Sequence, residues 1–399
     1  MRPKLLVLAN STAWGGAEMF LWRLCREISG AGIPIFLVVP PEGRVFGRFR
    51  ELPLEACHIQ ELGMDVGRIR GTLGSLALAD PRGKQRTIQL LRSMKELHDC
   101  NSVLCQYPRE QVLASQAART LGYRVIWIVH SKPHFLCNRL FVSRFLRRAI
   151  READLAFVVS RSTKAALEQD GFPPEKMRLL PVGVEVPAEL RPRTDSVMRV
   201  GVVSRLVYCK GVHYVLRAAP EIIRQFPGVE FLVAGEGRYR LRLERLAKQL
   251  GISASVRFLG FREDPWEVYQ RINILAHATF DPGDSMPTSI LEAGAAGVPS
   301  VATRWSGIPE IVRDGETGLL VPAHDVNALA GAIRRLLEDG QFAARLGTRA
   351  REFVLEGFTM KQVGRSFAEQ LETPVGASRN NNTHKFKPPG GVYLCLALR

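Results

Sequence analysis

Short apolar runs alternate with helix-like stretches along this chain, and the whole alternation occurs twice. In the first half the apolar runs are KLLVLA (4–9), IPIFLVV (33–39), SVLCQ (102–106), RVIWIV (124–129) and DLAFVV (154–159). In the second half they are MRVGVV (198–203), VEFLVAG (229–235), VRFLG (256–260), INILA (272–276) and SVAT (300–303). Nearly continuous apolar strands that are joined through helices form parallel sheets covered on both faces. The pattern therefore predicts an α/β fold with two doubly wound, Rossmann-like domains.

The boundary between the two halves is marked by VPAELRPRTDSVM, near residues 186–197, where two prolines and mixed charge predict a linker. We predict an N-terminal domain at 1–187, a C-terminal domain at 198–358, and a helix at 359–373 that packs back on the N-terminal domain. From Pro374 the sequence is polar and rich in Asn, Pro and Gly, so residues 374–399 are predicted to be a disordered tail.

The formal net charge of +16 favours anionic partners such as nucleic acid, an acidic membrane face or a phosphorylated substrate. Charge alone does not choose among them. The sequence contains no recognised nucleic-acid-binding module, and its basic residues are spread among the helices of the domain pattern. We therefore expect no nucleic acid partner.

The cysteines and the lengths of the apolar runs indicate where in the cell the protein is expected. The seven cysteines are scattered without a C-x-x-C pair, which argues against a disulfide framework or a zinc site and for a reducing compartment. No apolar run approaches the roughly 18 residues of a membrane span, and the run at the N-terminus is too short for a secretory signal. We expect a cytoplasmic protein, and its charge leaves peripheral contact with the membrane open.

The stretch GDSMPTSILEAGAAGVPSVA (283–302) combines two acids with a short apolar helix pattern. Pro287 suits the first turn of a helix, and Gly297 suits its end. A helix N-terminus binds phosphate through unpaired amides and a partial positive charge. Asp284 and Glu292 flank this turn, where each carboxylate could accept hydrogen bonds from sugar hydroxyls. A second interpretation stays open, in which Asp284 caps the helix and Glu292 is a paired or rim-exposed acid.

Other candidate residues follow predicted strands, at the edge where parallel α/β sheets bind ligands. Arg205 and Lys210 follow the first strand of the second half, where two cations could neutralise a diphosphate or could be solvated loop charges. His130 ends the fourth strand of the first half, and a structural role for it is the alternative. Gly15 and Gly16 precede the first predicted helix, where glycine lets a ligand approach the backbone closely.

Taken together, several motifs resemble the retaining nucleotide-sugar glycosyltransferases of family 4. The matching segments are GGAE, SRLVYCKG, VAGEGRYRLRLERLAKQLG, VRFLGF, DSMPTSILEAGAAGVP and GIPEIVRDGETGLLVPAHD. In the fifth segment, as in the family, an acid is followed after seven residues by a glutamate, and a helix of small residues comes next. The resemblance covers roughly residues 4–372 and implies the GT-B fold, in which two Rossmann-like domains face each other across a cleft. It also implies that the N-terminal domain lies on the acceptor side and that the C-terminal domain binds the nucleotide sugar.

The resemblance further implies a reaction and a set of residues for it. A sugar would pass from a nucleoside-diphosphate sugar, by default a UDP-sugar, to a glycan or lipid-linked acceptor with retention at the anomeric carbon and without a metal or other cofactor. The implied catalytic residues are Arg205, Lys210, Asp284, Glu292 and His130. The implied donor and phosphate contacts are Gly15, Gly16, Arg205, Lys210, Thr288, Ser289, Ile290 and Glu292, with Phe261 near the base.

Two positions depart from the family pattern. Asp284 stands where Glu is usual, which shortens the reach of the carboxylate, and Val182 stands where Asn usually precedes Gly183. Two alternative functions stay open beside transfer. One is a GT-B sugar-nucleotide epimerase or hydrolase, and the other is a catalytically silent nucleotide-sugar-binding protein.

The segment NRLFVSRFLRRAIREAD (138–154) predicts a basic amphipathic helix, with its arginines opposite its apolar residues. Such a helix could lie on an anionic bilayer with the arginines among the headgroups. It could equally pack on the sheet of its own domain and leave a solvated basic face. The sequence leaves both interpretations open.

Overall fold

The computed structural model describes residues 3–9, 11, 15–39, 44–52, 56–59, 81–131, 148–187, 189 and 196–373. The predicted tail at 374–399 and residues 138–147 of the predicted basic helix lie outside these ranges. Residues 148–152 of that helix are helical, with Ala149 and Ile150 buried in the core and Arg148 exposed. The described end of the helix therefore packs on its own domain.

The N-terminal half forms a seven-stranded sheet in which all neighbouring strands are parallel. Its strands are β1 (Leu5–Leu8), β2 (Ile35–Val39), β3 (Ala56–Ile59), β4 (Ser102–Cys105), β5 (Arg124–Val129), β6 (Leu155–Val158) and β7 (Met177–Leu179). The spatial order is β3-β2-β1-β4-β5-β6-β7. The five predicted strands are present, and β3 and β7 were not predicted. Both are short edge strands, which pair on one side only and carry no long apolar run.

Helices and a core cover each face of this sheet. The helices are α1 (Gly16–Gly30), α2 (Arg44–Phe49), α3 (Pro81–His98), α4 (Pro108–Thr120) and α5 (Arg161–Gln169). Alternate residues of β1 enter two separate cores, with Leu5 and Val7 in one and Leu6 and Leu8 in the other. Because successive side chains of a strand point to opposite faces, this division is what a doubly wound sheet requires.

The C-terminal half forms a six-stranded sheet, also with parallel neighbours, in the order β10-β9-β8-β11-β12-β13. Its strands are β8 (Arg199–Val203), β9 (Glu230–Ala234), β10 (Val256–Gly260), β11 (Ile274–His277), β12 (Ser300–Thr303) and β13 (Gly318–Val321). Its helices are α6 (Val212–Gln225), α7 (Arg240–Gln249), α8 (Trp266–Tyr269), α9 (Thr288–Ala295), α10 (Val326–Glu338) and α11 (Gly340–Gly357). The edge strand β13 was again not predicted. None of the described helices combines the length and the apolar character needed to cross a bilayer.

The last described helix, α12 (Met360–Glu372), returns to the N-terminal domain and packs against α1. The rings of Phe367 and Phe157 lie 4.7 Å apart between their centroids. A Cβ atom on Gly364 would lie 2.5 Å from the Cβ of Glu27, and one on Gly183 would lie 2.9 Å from the Sδ of Met360. The two glycines therefore allow α12 to pack closely against α1 and the end of the N-terminal domain.

Candidate active site

The cleft between the domains lies where the strand order of each sheet reverses, between β1 and β4 and between β8 and β11. Loops that leave such a switch point diverge and open a crevice at the carboxyl ends of the strands. Residues from both switch points line one interdomain cleft of about 930 Å³. The predicted site residues that line it are Gly15, Gly16, His130, Arg205, Lys210, Phe261, Asp284, Thr288, Ser289 and Glu292.

The remaining predicted contact, Ile290, does not line the cleft. Its side chain is buried in the hydrophobic core, and its N–H donates to the carbonyl oxygen of Pro287 at 3.2 Å. Pro287 is the N-cap residue of α9 rather than part of its first turn. The first helical amides toward the cleft are those of Thr288 and Ser289, so the prediction for Ile290 is corrected.

The N-termini of α1 and α9 face each other across the cleft. A Cβ atom placed on Gly16, the first residue of α1, would lie 3.7 Å from the Oγ1 of Thr288, the first residue of α9. The first amides of a helix have no acceptor within the helix, and this end carries about half a positive charge. Residues of both helix starts line one cleft, where the two ends can together attract an anion.

Lys210 reaches this space from a turn whose next residue has to be glycine. The turn Tyr208–Lys210 ends at Gly211, which has a φ of 69°. A Cβ atom on Gly211 would lie 1.8 Å from the carbonyl oxygen of Ala278. The loop after β8 therefore runs directly against the end of β11, and this contact brings Lys210 next to the acids that follow β11.

Asp284 is paired on both of its carboxylate oxygens. The Nζ of Lys210 lies 2.7 Å from Oδ1, and the Nε2 of His277 lies 3.1 Å from Oδ2. Burial alone would raise the pKa of Asp284, but Lys210 and His277 outweigh it and hold this pKa below its ordinary value. Asp284 is therefore a carboxylate at neutral pH. Lys210 also lies 3.4 Å from the Oδ2 of Asp281.

Glu292 is a buried acid that joins the two domains. Its Oε1 lies 3.4 Å from the Nη1 of Arg23 on α1, and its Oε2 accepts a hydrogen bond of 2.9 Å from the hydroxyl of Tyr269. Burial raises the pKa of Glu292, and Arg23 and Tyr269 oppose that rise. Glu292 is therefore a paired acid, which is one of the interpretations that the sequence left open. Glu292 also lines the cleft, and a carboxylate with one partner on each oxygen keeps further acceptor positions.

His130 presents an unused nitrogen at the wall of the cleft. It follows β5 and packs edge-on against Phe20, with 5.5 Å between the ring centroids. Its Nε2 is buried and has no hydrogen-bond partner among the described residues. Burial lowers the pKa of His130 to about 4, so the imidazole is neutral at neutral pH. A buried nitrogen without a partner costs about 1–3 kcal/mol, which a ligand hydroxyl would recover.

The outer part of the cleft is more open. Arg205 is exposed, and Phe261 has 39% of its surface exposed. Val182 also lines the cleft but offers no polar side-chain group there. No group of three or more His, Cys, Asp or Glu side chains within the described ranges is placed to hold a metal ion. The cysteines with described side chains, Cys25, Cys100, Cys105 and Cys209, are free thiols.

Sequence reasoning missed His277 and Asp281. His277 is the last residue of β11, whereas the predicted strand ended at Ala276. A strand drawn one residue longer would have placed a histidine at the binding edge of the sheet, as at His130. Asp281 gave no separate signal, because an acid in a loop rich in Gly and Pro is most simply explained as part of a turn.

Two family models match this chain, one in each half. Residues 14–186 match the model of Glycosyltransferase Family 4, and residues 193–353 match the model of Glycosyl transferases group 1. This chain is a family 4 glycosyltransferase. It is 31% identical over 319 residues to the GDP-mannose-dependent alpha-(1-6)-phosphatidylinositol monomannoside mannosyltransferase of Mycolicibacterium smegmatis, covering 74% of this chain and 82% of the relative.

Other relatives of this glycosyltransferase are matched over about half of their own length. It is 30% identical to a phosphatidylinositol N-acetylglucosaminyltransferase component of Arabidopsis thaliana, over 59% of this chain and 53% of the relative. It is also 30% identical to the putative colanic acid biosynthesis glycosyltransferase WcaL of Salmonella typhimurium, over 57% of this chain and 58% of the relative.

The fold of the enzyme is that of solved GT-B proteins. Anabaena HepE, solved with UDP and glucose, matches with a TM-score of 0.76 and 21% identity, over 92% of this chain and 99% of the other. Sucrose-phosphate synthase from Thermosynechococcus elongatus matches with a TM-score of 0.75 and 19% identity, over 93% and 98%. At these identities the likeness establishes the α/β GT-B architecture, and the predicted fold is confirmed.

Proposed function

We propose that this glycosyltransferase moves a sugar from a nucleoside-diphosphate sugar to a glycan or lipid-linked acceptor, with retention at the anomeric carbon and without a metal cofactor. The observation that carries the proposal is the pair of helix N-termini facing one another beside Lys210. Such an arrangement suits a diphosphate bound between the two domains.

In this proposal the diphosphate lies between the first turns of α1 and α9. The amides of Thr288 and Ser289 donate to its oxygens, and Gly16 leaves room for it on the other side. Lys210 and Arg205 stabilise the negative charge that develops as the diphosphate leaves, which is the work that a divalent cation performs in other enzymes. The proposal that the reaction needs no metal rests on the positive charges of Lys210 and Arg205.

The two sugars of the donor are assigned to the acids and the histidine. Glu292 accepts hydrogen bonds from the ribose hydroxyls with the acceptor positions that Arg23 and Tyr269 leave free. Asp284 lies beside the donor sugar, and the unpartnered Nε2 of His130 bonds one of its hydroxyls. The ring of Phe261 lies near the base.

The chemical step needs no protein nucleophile in this proposal. The bond from the anomeric carbon to the diphosphate oxygen breaks, and a bond to the acceptor oxygen forms on the same face. The acceptor's proton passes to the leaving diphosphate. The protein then contributes positioning and electrostatic stabilisation inside a closed cleft.

The expected donor is a UDP-sugar, and one observation favours a second candidate. The M. smegmatis relative is named as GDP-mannose-dependent, and the uracil and guanine donors share the diphosphate chemistry described above. The same relative is named for phosphatidylinositol monomannoside, which supports a lipid-linked acceptor for this enzyme. The net charge of +16 is consistent with recruitment to an anionic surface.

The test has a binding arm and a product arm. Thermal unfolding is followed with UDP, GDP, UDP-glucose and GDP-mannose in the presence of EDTA, and one nucleotide series should raise the Tm. The donor is then incubated with oligosaccharide and lipid-linked acceptors, and the product linkage is read by NMR. An inverted linkage or an EDTA-sensitive reaction would contradict the proposal. Free sugar as the only product would indicate a hydrolase, and binding without turnover a silent protein.

A further inference from the structure

His277 connects two parts of the active site that lie on separate elements. It is the last residue of β11 and is 5% exposed. Its Nε2 lies 3.1 Å from the Oδ2 of Asp284 in the loop after β11, and its Nδ1 lies 3.4 Å from the Oγ of Ser289 in the first turn of α9. The imidazole therefore bridges the loop acid and the helix end that faces the diphosphate site.

The direction of these hydrogen bonds follows from the charge of Asp284. Lys210 and His277 keep Asp284 ionised, and a carboxylate can only accept hydrogen bonds. The Nε2 of His277 must therefore carry a hydrogen and donate a hydrogen bond to Oδ2. A neutral imidazole that carries its hydrogen on Nε2 has an acceptor at Nδ1, which can accept a hydrogen bond from the hydroxyl of Ser289. In that tautomer the bonds run in one direction, from Ser289 through His277 to Asp284.

The same carboxylate orients Lys210, which has a competing partner. Nζ lies 2.7 Å from Asp284 and 3.4 Å from Asp281. If Asp284 were free to rotate, the ammonium group could pair with Asp281 instead and move away from its position beside α9. The hydrogen bond from His277 holds the second oxygen of Asp284, and thereby directs the first oxygen at Lys210.

We infer that His277 is a positioning residue for the transfer step, which holds Asp284 in the rotamer that places Lys210 beside the leaving diphosphate. This role rests on the proposed function. An interaction that serves the developing charge stabilises the transition state more than the bound donor. Loss of His277 should therefore lower kcat and leave the KM for the donor nearly unchanged.

Two near-isosteric variants separate this role from simple packing. In His277→Gln the amide nitrogen can occupy the place of Nε2 and donate to Asp284. In His277→Asn the shorter amide can occupy only the place of Nδ1, beside Ser289. We expect His277→Gln to keep kcat within about threefold of the wild type, and His277→Asn and His277→Ala to lose on the order of 10²-fold, as for other lost positioning contacts.

Glu230→Gln is the matched control, because it weakens the pairing of another buried side chain, Arg199. Glu230 pairs with the buried Arg199 at 2.8 Å where β8 and β9 begin, whereas the cleft lies at the carboxyl ends of the strands. This variant should lower the Tm and leave kcat unchanged. If kcat in the three His277 variants simply follows the Tm, or if Asn restores turnover and Gln does not, the inference is overturned.

Two further readouts keep the inference separate from the proposed function. Nitrogen NMR of histidine-labelled enzyme should show the Nε2–H tautomer for His277. The signal of His277 is assigned by its absence from the spectrum of His277→Gln. If His277 is present only as the Nδ1–H tautomer, the inference is overturned without an activity assay. A wild type that consumes UDP-glucose or GDP-mannose, with all three variants equal to it, would overturn the inference alone. A wild type that binds neither UDP nor GDP would overturn the proposed function as well.

Discussion

At the scale of single residues, Lys210 affects both stability and turnover because its ammonium group is buried between two acids. Replacement by Met removes the positive charge and leaves Asp284 buried without its main partner. We expect Lys210→Met to lower the free energy of unfolding by about 3–5 kcal/mol, and to lower kcat on the order of 10²–10³-fold.

A double variant distinguishes the two effects of Lys210. In Lys210→Met with Asp284→Asn the buried charge of Asp284 is removed, and only Asp281, whose side chain is 19% exposed, loses its pairing with Lys210. We therefore expect much of the lost stability to return while turnover stays low. Urea unfolding and donor turnover measure the two quantities. Recovery of turnover together with stability would remove Lys210 from the chemistry.

His130 gives a prediction for acid stability. In the unfolded chain it takes up a proton near pH 6.5, whereas in the folded protein burial holds its pKa at about 4. Above pH 6.5 the imidazole is neutral in both states, and His130 does not make the free energy of unfolding depend on pH. As the pH falls from 6.5 to 4, the unfolded chain binds a proton that the folded protein does not, and the free energy of unfolding falls by about 3 kcal/mol at most. Urea unfolding of His130→Gln should show a smaller loss of stability between pH 7 and pH 4. Equal losses in both proteins would contradict the buried, neutral assignment.

At the scale of secondary structure, the site is made by the starts of two helices rather than by a set of loop side chains. The starts of α1 and α9 face one another because each follows a strand at the switch point of its sheet. The amides there belong to the backbone, so substitutions of side chains act on this part of the site mainly by filling space.

Gly16→Ala tests the facing helix starts. The added methyl would lie 3.7 Å from Thr288, an ordinary contact, and Ala favours a helix, so the Tm should not fall. The methyl would occupy space assigned to the diphosphate, and we expect the Kd for the bound nucleotide, UDP or GDP, to rise about tenfold or more, measured by calorimetry. Gly30→Ala at the other end of α1, with no atom within 4 Å, should leave the Kd unchanged. Equal effects of the two changes would place the diphosphate elsewhere.

At the scale of the whole molecule, ion pairs, helix packing and hydrogen bonds among the described residues connect the two domains. Arg23 pairs with Glu292, and α12 returns to α1. Glu310 of the C-terminal domain accepts hydrogen bonds from the backbone N–H groups of Arg161, at 2.9 Å, and Ser162, at 3.0 Å, at the start of α5. A carboxylate at a helix start is stabilised by the helix dipole, so Glu310 stabilises this arrangement of the two domains.

Glu310→Ala removes two charge-assisted hydrogen bonds between the domains. We expect a larger radius of gyration in X-ray scattering of the nucleotide-free enzyme, and a nucleotide affinity about tenfold weaker because fewer molecules are closed. Glu316→Ala, which removes a surface ion pair with Arg313, is the matched control. An unchanged radius and affinity in Glu310→Ala would show that the other contacts between the domains suffice.

The local patterns of the sequence determined the two-sheet fold and the outline of the site. Ten apolar runs became ten parallel strands, and the carboxyl ends of these strands brought His130, Arg205 and Lys210 to one cleft. These results follow from short-range rules, because strand burial and helix starts depend on residues close together in the chain. The edge strands β3, β7 and β13, which pair on one side only, were not predicted.

Only the tertiary structure decided the partners of the charged groups. Glu292 pairs with Arg23, 269 residues away, and Asp284 with Lys210, because domain docking and the Gly211 contact bring them together. His277 joined the site only when the end of β11 was placed beside α9. The ionisation state and orientation of a buried group depend on which charges lie within a few ångströms of it, and in this enzyme those charges come from distant parts of the chain.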